Sequence, residues 1–414
     1  MSDFPEGFLW GCATAAHQIE GQMPATDWRQ WEQEGHINPP DSAEVANDAY
    51  RRFREDARRL AGLNQNAHRL SIEWARIEPA PGEFDPVQIE HYRQVLQAYR
   101  EHGMQTMVTL HHFSSPLWFT ERGGWSASGS EQAWLPFVRR VAEELGELVN
   151  FWCTINEPNV YAISGWFSGQ RGDFPPGRRG DLLGCWRVLA NFRRGHVAAY
   201  RELQRLTPEI PVGIAQHKWM VLPASPRWDD RLAAGIARRT LDCWPDGLRL
   251  ERVIDAPSDY LGLNQYSGSL FTFDLRAFQQ GFVTENNPPG LLVDEMGHAI
   301  NPAWMGDALQ DLKGRGKPVY ITENGIGTLD DGWRIEYLGK VLKEVSQAID
   351  DGVDVRGYFH WTSIDNFEWE RGFSIHFGLI GIDVPTQVRT IRESGHWLAE
   401  VARVNALPET LAQG

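Results

Sequence analysis

The chain predicts an α/β fold, with one (β/α)8 barrel taking up residues 1–414 as a single domain. Two observations carry that reading: short β-rich runs alternate with longer amphipathic stretches from end to end, and no linker or shift in composition separates the units. A length of 414 residues alone is compatible with two or three domains, but α/β barrels reach it as one.

Candidate strands are 8–15, 67–74, 105–112, 150–157, 212–219, 260–267, 318–323 and 355–362. Helical patterns lie between them, near 43–62, 86–102, 131–147, 185–206, 228–240, 302–313, 333–350 and 387–404. Period supports two of the helices directly. Ile89, Tyr92, Leu96 and Tyr99 share one face, with Asp85-Pro86 as cap and first-turn proline and Gly103 as stop. Ile335, Leu338, Leu342, Val345 and Ile349 do the same before Gly352. Strands begin apolar on both faces, as in Pro318-Val319-Tyr320-Ile321, which suits a buried parallel sheet. A doubly wound open sheet competes with the barrel, but no GxGxxG or P-loop follows any strand. The longest insertions, around 164–183 and 269–300, follow strands and are rich in Gly, Pro and Asn. That end of a barrel carries its active site.

Composition narrows the function classes. With 42% hydrophobic and 23% charged residues the chain reads as a globular enzyme with a large core. Its 18 tryptophans fit core filling and also fit a carbohydrate site, where a flat indole packs on the apolar face of a sugar. A net charge of −15 argues against nucleic acid or an anionic membrane as partner. Cys12, Cys153, Cys185 and Cys243 show no CxxC or zinc spacing and read as free buried thiols. Neither a charged leader followed by an apolar stretch nor a run of about 18 apolar residues is present. The expectation is a soluble, cytoplasmic protein.

Several strands turn polar at their C-terminal ends. The second offers Arg69, Ser71 and Glu73, the third His111-His112, and the fourth Asn156-Glu157. The sixth offers Asn264 and Tyr266, the seventh Glu323-Asn324, and the eighth leads into Trp361, Asp365, Glu368 and Trp369. Strands four and seven lie roughly across a barrel from each other, so Glu157 and Glu323 can flank one bond. Glycosidic cleavage needs two carboxyl groups in that relation, one protonated and one ionised. Arg69 is expected to hold Glu323 ionised, and burial to favour the protonated form of Glu157. A lone strand-end Glu is more often a structural salt-bridge partner; two with Asn, Arg, His and Tyr on one rim point to chemistry. His111 and His112 are adjacent on a strand and face opposite ways. Without further ligand spacing no metal is expected, and no cofactor is called for. The pairs Glu143-Glu144 and Asp350-Asp351 fall on helices and read as solvated faces.

At these residues the sequence resembles glycoside hydrolase family 1, the β-glucosidases and β-galactosidases, over nearly the whole chain. The likeness begins at Phe4-Pro5-Glu6-Gly7-Phe8-Leu9-Trp10-Gly11 and Gln18-Ile19-Glu20-Gly21, and continues in Arg69-Leu70-Ser71-Ile72-Glu73-Trp74. Thr154-Ile155-Asn156-Glu157-Pro158 is similar to the family's acid/base signature, and Tyr320-Ile321-Thr322-Glu323-Asn324-Gly325 to its nucleophile signature. Gly357-Tyr358-Phe359-His360-Trp361 through Asp365-Asn366-Phe367-Glu368-Trp369 is similar to its sugar-binding segment. The resemblance implies a retaining, exo-acting β-glycosidase with Glu157 as acid/base and Glu323 as nucleophile, their carboxyl groups ~5–5.5 Å apart. It further implies that Gln18, His112, Asn156, Glu368 and Trp369 hydrogen-bond the sugar and that Trp361 forms the platform beneath it. Arg69 and Tyr266 would position Glu323, with Asn264 in support.

Three positions depart from the family pattern. Phe113 stands where a Trp is usual, His111 where Tyr or Asn is common, and His298 where a Trp walls the aglycone side. The chain is also short for the family, so trimmed rim loops are expected. A sugar-binding barrel without catalysis is an alternative, but it predicts a missing carboxylate and both are present. A 6-phospho-β-glycosidase is another, requiring a cationic pocket after the eighth strand, where Glu368 and Glu370 stand with Arg371 as the only cation. An aldolase-type barrel needs a strand-end lysine, and none of the eight supplies one. The expected partner is a small β-linked oligosaccharide or an aryl or alkyl β-glycoside. The residues leave open whether the glycon is glucose, galactose or fucose, the natural aglycone and the oligomeric state.

Overall fold

The computed structural model describes residues 4–167, 174–242, 256–274, 276 and 283–408. Its strands, in chain order, are β1 (Leu9–Ala13), β2 (Ala67–Ser71), β3 (Gln105–Thr109), β4 (Phe151–Asn156), β5 (Val212–His217), β6 (Met220–Pro223) and β7 (Leu261–Asn264). They continue with β8 (Gly268–Phe273), β9 (Val283–Asn286), β10 (Val319–Asn324), β11 (Val355–Trp361), β12 (Ile380–Asp383) and β13 (Val388–Ile391). Eight of them close a barrel in the order β1-β11-β10-β7-β5-β4-β3-β2, every neighbouring pair parallel. Each barrel strand lies where the sequence puts it, mostly trimmed by a few residues.

Burial explains the apolar runs. All six residues of β10 and all five of β2 are buried, so both strand faces meet protein, barrel interior on one side and helices on the other. The helix Pro86–Glu101 forms as read: the Asp85 carboxylate accepts from the N–H groups of Val87 and Gln88. Its face of Ile89, Tyr92, Leu96 and Tyr99 is buried. In the helix Asp331–Asp350 the buried stripe centres on Leu338, Leu342 and Val345, and Ile335 and Ile349 at its ends are half-buried. Six tryptophans (Trp10, Trp28, Trp74, Trp125, Trp134, Trp152) are fully buried, so much of the tryptophan surplus is core.

Two expectations change, and one insertion gains detail. The pattern at 387–404 is not one helix: Val388–Ile391 pairs antiparallel with Ile380–Asp383, and the helix is Glu393–Val404. Val388, Thr390 and Ile391 are β-branched and favour the extended chain. The helix expected from 43 starts at Ala49, after a turn in which Ala46 and Asp48 take positive φ. The 269–300 insertion builds structure of its own, with β8 joining β6 in parallel and β9 antiparallel in a small three-stranded sheet. The helix Pro158–Trp166 extends into the other insertion, of which 168–173 lies outside the described residues, as does Cys243. No helix among the described residues is long and apolar enough to cross a membrane.

Candidate active site

The ends of β4 and β10 are irregular where the two glutamates stand. Pairing of β4 with β5 shifts register between Cys153 and Asn156, and pairing of β10 with β7 shifts between Ile321 and Glu323. Such bulges re-aim the side chains beyond them. Glu157 then takes left-handed backbone (φ 40, ψ 59) as it caps the helix Pro158–Trp166. Both carboxylates line one cleft at the C-terminal mouth of the barrel, with about 270 Å³ of water-sized space.

One hydrogen-bonded chain joins the two glutamates. Arg69 is fully buried; Nη1 donates to Glu323 Oε1 at 2.5 Å and Nη2 to Asn156 Oδ1 at 2.7 Å. Asn264 Nδ2 donates to the same Asn156 oxygen at 3.1 Å and to Glu157 Oε1 at 2.8 Å. The Tyr266 hydroxyl donates to Glu323 Oε2 at 2.8 Å. Because Arg69 only donates, the Asn156 atom facing it is the carbonyl oxygen, and its Nδ2 faces His112 Nε2 at 3.0 Å. An amide donor there makes Nε2 an acceptor, so the proton of the neutral His112 ring sits on Nδ1. That nitrogen is buried with no protein partner, as is Gln18 Oε1. A donor and an acceptor are thus both held in reserve, a pairing that suits a hydroxyl.

The eighth-strand segment forms the opposite wall. Trp361 Nε1 donates to Glu368 Oε1 at 3.0 Å, and Gln18 Nε2 to Glu368 Oε2 at 3.2 Å. Trp361 and Trp369 both line the cleft, and Trp369 stacks on His17 with ring centroids 5.6 Å apart.

Burial governs the electrostatics. It pushes Glu323 up to about 7; the Arg69 guanidinium and the Tyr266 hydroxyl pull against that rise, and the Glu157 carboxylate adds to it. The expected Arg69–Glu323 ion pair forms and favours the ionised carboxylate, but loss of water outweighs it. Burial likewise holds Glu368 well above the usual value, only partly offset by Trp361. Burial, and then the Arg69 charge, keep His112 well below its ordinary value and so neutral.

Of the residues singled out in the sequence, Glu157, Glu323, Asn156, His112, Trp361, Glu368, Trp369, Tyr266 and His298 line the cleft. Gln18, Arg69 and Asn264 stand directly behind them. Five rim candidates turn to structural work. Ser71 accepts from Ala16 N–H, Glu73 caps the helix Trp74–Ile77, and His111 bonds Ser115 and Trp125 behind the sheet. Asn324 ties Tyr337 and Tyr358, and Asp365 pairs with Arg392. Sequence reasoning missed His217 and Trp219, which also line the cleft; the polar end of the fifth strand, Gln216-His217, was the available signal. Among the described residues no group of three His, Cys, Asp or Glu could hold a metal ion.

Paired carboxylates at the mouth of a parallel barrel, walled by amide, imidazole and indole groups, define a glycoside hydrolase. Residues 1–244 and 249–407 match the family model described as "Glycosyl hydrolase family 1". The chain belongs to that family. It is 31% identical to a 1,4-β-D-glucan glucohydrolase of Thermotoga neapolitana, the match covering 99% of this chain and 100% of the relative. It is 28% identical to a β-galactosidase of Sulfolobus acidocaldarius over 99% and 97% of the two chains. Among solved structures, a β-glycosidase from Pyrococcus horikoshii superposes with a TM-score of 0.90 at 33% identity, covering 99% of this chain and 97% of that one. A β-glucosidase from Thermotoga maritima in complex with glucoimidazole gives 0.91 at 30%, covering 98% and 100%.

Proposed function

We propose that this chain, acting as one catalytic domain over 1–414, removes terminal non-reducing β-D-glycosyl residues with retention, using Glu323 as nucleophile and Glu157 as acid/base. The observation that carries the reading is the Glu323 carboxylate itself, gripped by Arg69 on one oxygen and Tyr266 on the other across the cleft from Glu157. In the first step Glu323 attacks the anomeric carbon as the bond to the leaving oxygen breaks, and the Glu157 proton passes to that oxygen. In the second step Glu157 takes a proton from water, the water oxygen attacks the same carbon, and the bond to Glu323 breaks. Two inversions give retention. Gln18, His112, Asn156, Glu368 and Trp369 hold the glycon hydroxyls in this reading, and Trp361 forms the platform beneath the ring. His298 lies toward the leaving group. The substrate is a small β-linked oligosaccharide or an aryl or alkyl β-glycoside.

A phosphorylated glycon is disfavoured. Among the described residues, Arg371 is the only Lys or Arg lining the cleft, against Glu157, Glu285, Asp294, Glu323, Glu368 and Glu370. Three buried unpaired cysteines, Cys12, Cys153 and Cys185, support a cytoplasmic setting.

The test is replacement of Glu323 by Ala. Turnover of nitrophenyl β-glucoside should fall at least about a hundredfold, since no other carboxylate can form the covalent intermediate. Azide should restore it and yield the α-glycosyl azide. A variant that keeps most of its rate without azide excludes Glu323 as nucleophile.

A further inference from the structure

His217, the last residue of β5, lies against Glu157. Its Nδ1 is 3.0 Å from Glu157 Oε1, and the two side chains are 10% and 8% exposed. The same oxygen accepts from Asn264 Nδ2 at 2.8 Å. That amide cannot be reversed, because Nδ2 also serves the Asn156 carbonyl oxygen while Asn264 Oδ1 accepts the Thr322 hydroxyl at 2.6 Å. Stacking fixes the imidazole plane: Trp219 lies 5.5 Å away at 23° and Tyr266 5.9 Å away at 21°. A carboxylate oxygen only accepts, so the Glu157 contact puts the His217 proton on Nδ1. The other nitrogen, Nε2, is buried without a protein partner, in a ring that lines the cleft.

We propose that His217 is the positioning residue of the acid/base: its Nδ1–H, with Asn264, occupies Glu157 Oε1 and leaves Oε2 as the atom that carries the proton to and from the substrate. The inference rests on the reading of Glu157 as acid/base. In glycosylation the proton leaves Oε2 for the glycosidic oxygen, and the negative charge that develops is shared with an Oε1 already held by two N–H donors. In deglycosylation Oε2 takes a proton from water. His217 keeps its own proton throughout. The ring also gives the leaving-group side a buried acceptor in Nε2, which fits an aglycone bearing a hydroxyl, such as a second sugar.

Three variants separate the contact from mere packing. H217F keeps a stacked ring without nitrogen, H217N puts an amide N–H near the place of Nδ1, and H217Q puts one near Nε2 instead. For each, kcat/KM is measured on cellobiose, whose leaving group needs a proton, and on 2,4-dinitrophenyl β-glucoside, whose leaving group does not. H217F and H217Q should lose about tenfold or more on cellobiose relative to the dinitrophenyl substrate, and H217N should recover most of that loss. H217Q carries the comparison if the phenylalanine variant does not fold. E157Q is run beside them. Should E157Q discriminate between the substrates while H217F and H217Q lower both alike, His217 is a packing residue and the proposal is overturned. Should E157Q itself fail to discriminate, the acid/base reading falls first.

Discussion

Three side chains lining the cleft belong to residues with left-handed backbone, Phe113 at φ 69, Glu157 at φ 40 and Trp369 at φ 51. For a residue with a Cβ this costs about 1–2 kcal/mol, and surrounding contacts must hold it in place. They do so here: Trp369 packs against Trp28 at 4.6 Å and Phe113 at 5.2 Å, and Phe113 against Phe174 at 5.2 Å. Phe113 is itself a departure from the family pattern, and its 3% exposure makes it part of this aromatic packing. His298, the departure proposed above to lie toward the leaving group, lines the cleft half-buried and edge-on to Trp219 at 5.0 Å and 90°. Replacing His298 with Trp adds stacking area worth on the order of 1 kcal/mol. The expected outcome is a several-fold lower KM for aryl and disaccharide substrates with deglycosylation unchanged, because the aglycone has left by then. Pre-steady-state bursts separate the two steps; a change confined to deglycosylation would put His298 on the glycon side.

Among the elements, the ends of β10 and β11 fix the distance between Glu323 and Trp361, which both line the cleft. Gly325, two residues beyond Glu323, lies so close to β11 that an added Cβ would sit 2.1 Å from the Trp361 carbonyl oxygen. Backbone cannot step aside as a side-chain tip can, so Gly325→Ala must part the two strand ends. Overpacking of this kind costs about 1–3 kcal/mol. We expect a lower Tm together with at least about a tenfold loss of kcat/KM, since a displacement near 1 Å at reacting groups has effects of this size. Gly62→Ala, with open space around its Cβ, is the control and should keep both. Activity and melting measured on the pair decide whether this junction sets the site. The elements also show what the sequence made legible. Two-sided apolar runs ending in polar residues marked the barrel strands and, with them, Glu157, Glu323, Asn156 and Trp361. The β6–β8–β9 sheet left no such mark: only its pairing brings Trp219 and Glu285 to the cleft wall, and nothing local in Trp219 or His298 announces that the two rings meet. His217 was hidden differently, its role lying wholly in a contact with a residue of the neighbouring strand. The 387–404 pattern misled because Val388 and Ile391 are spaced as on a helix while their β-branched chains pair as a strand.

For the molecule as a whole, the site places ionisable groups where water is scarce and leaves the barrel core to support them. Burial pushes Asp294 up to about 6, Glu323 up to about 7 and Asp27 up to about 8, all near the mouth, while one continuous apolar core runs through the barrel. On the proposed role of Glu323 as nucleophile, catalysis needs its ionised form, which burial opposes, so the charge that activity requires destabilises the fold as pH rises. The sign follows from linkage. Glu323 binds its proton more tightly folded than unfolded, at about 7 against an ordinary value of 4.5. The cost of the buried charge is absent below pH 4.5 and complete above about 7, so stability falls as pH rises through that window. Displacement from 4.5 to about 7 corresponds to about 3 kcal/mol. Glu323→Gln cannot ionise and escapes this term, whatever constant offset it incurs by removing the charge opposite Arg69. The unfolding free energy of E323Q minus that of the wild type should therefore move in the variant's favour by about 3 kcal/mol between pH 4.5 and pH 8. Parallel urea titrations at the two pH values measure it. A difference that stays constant with pH would mean that Arg69 and Tyr266 fully offset burial and that Glu323 titrates alike in the folded and unfolded chain.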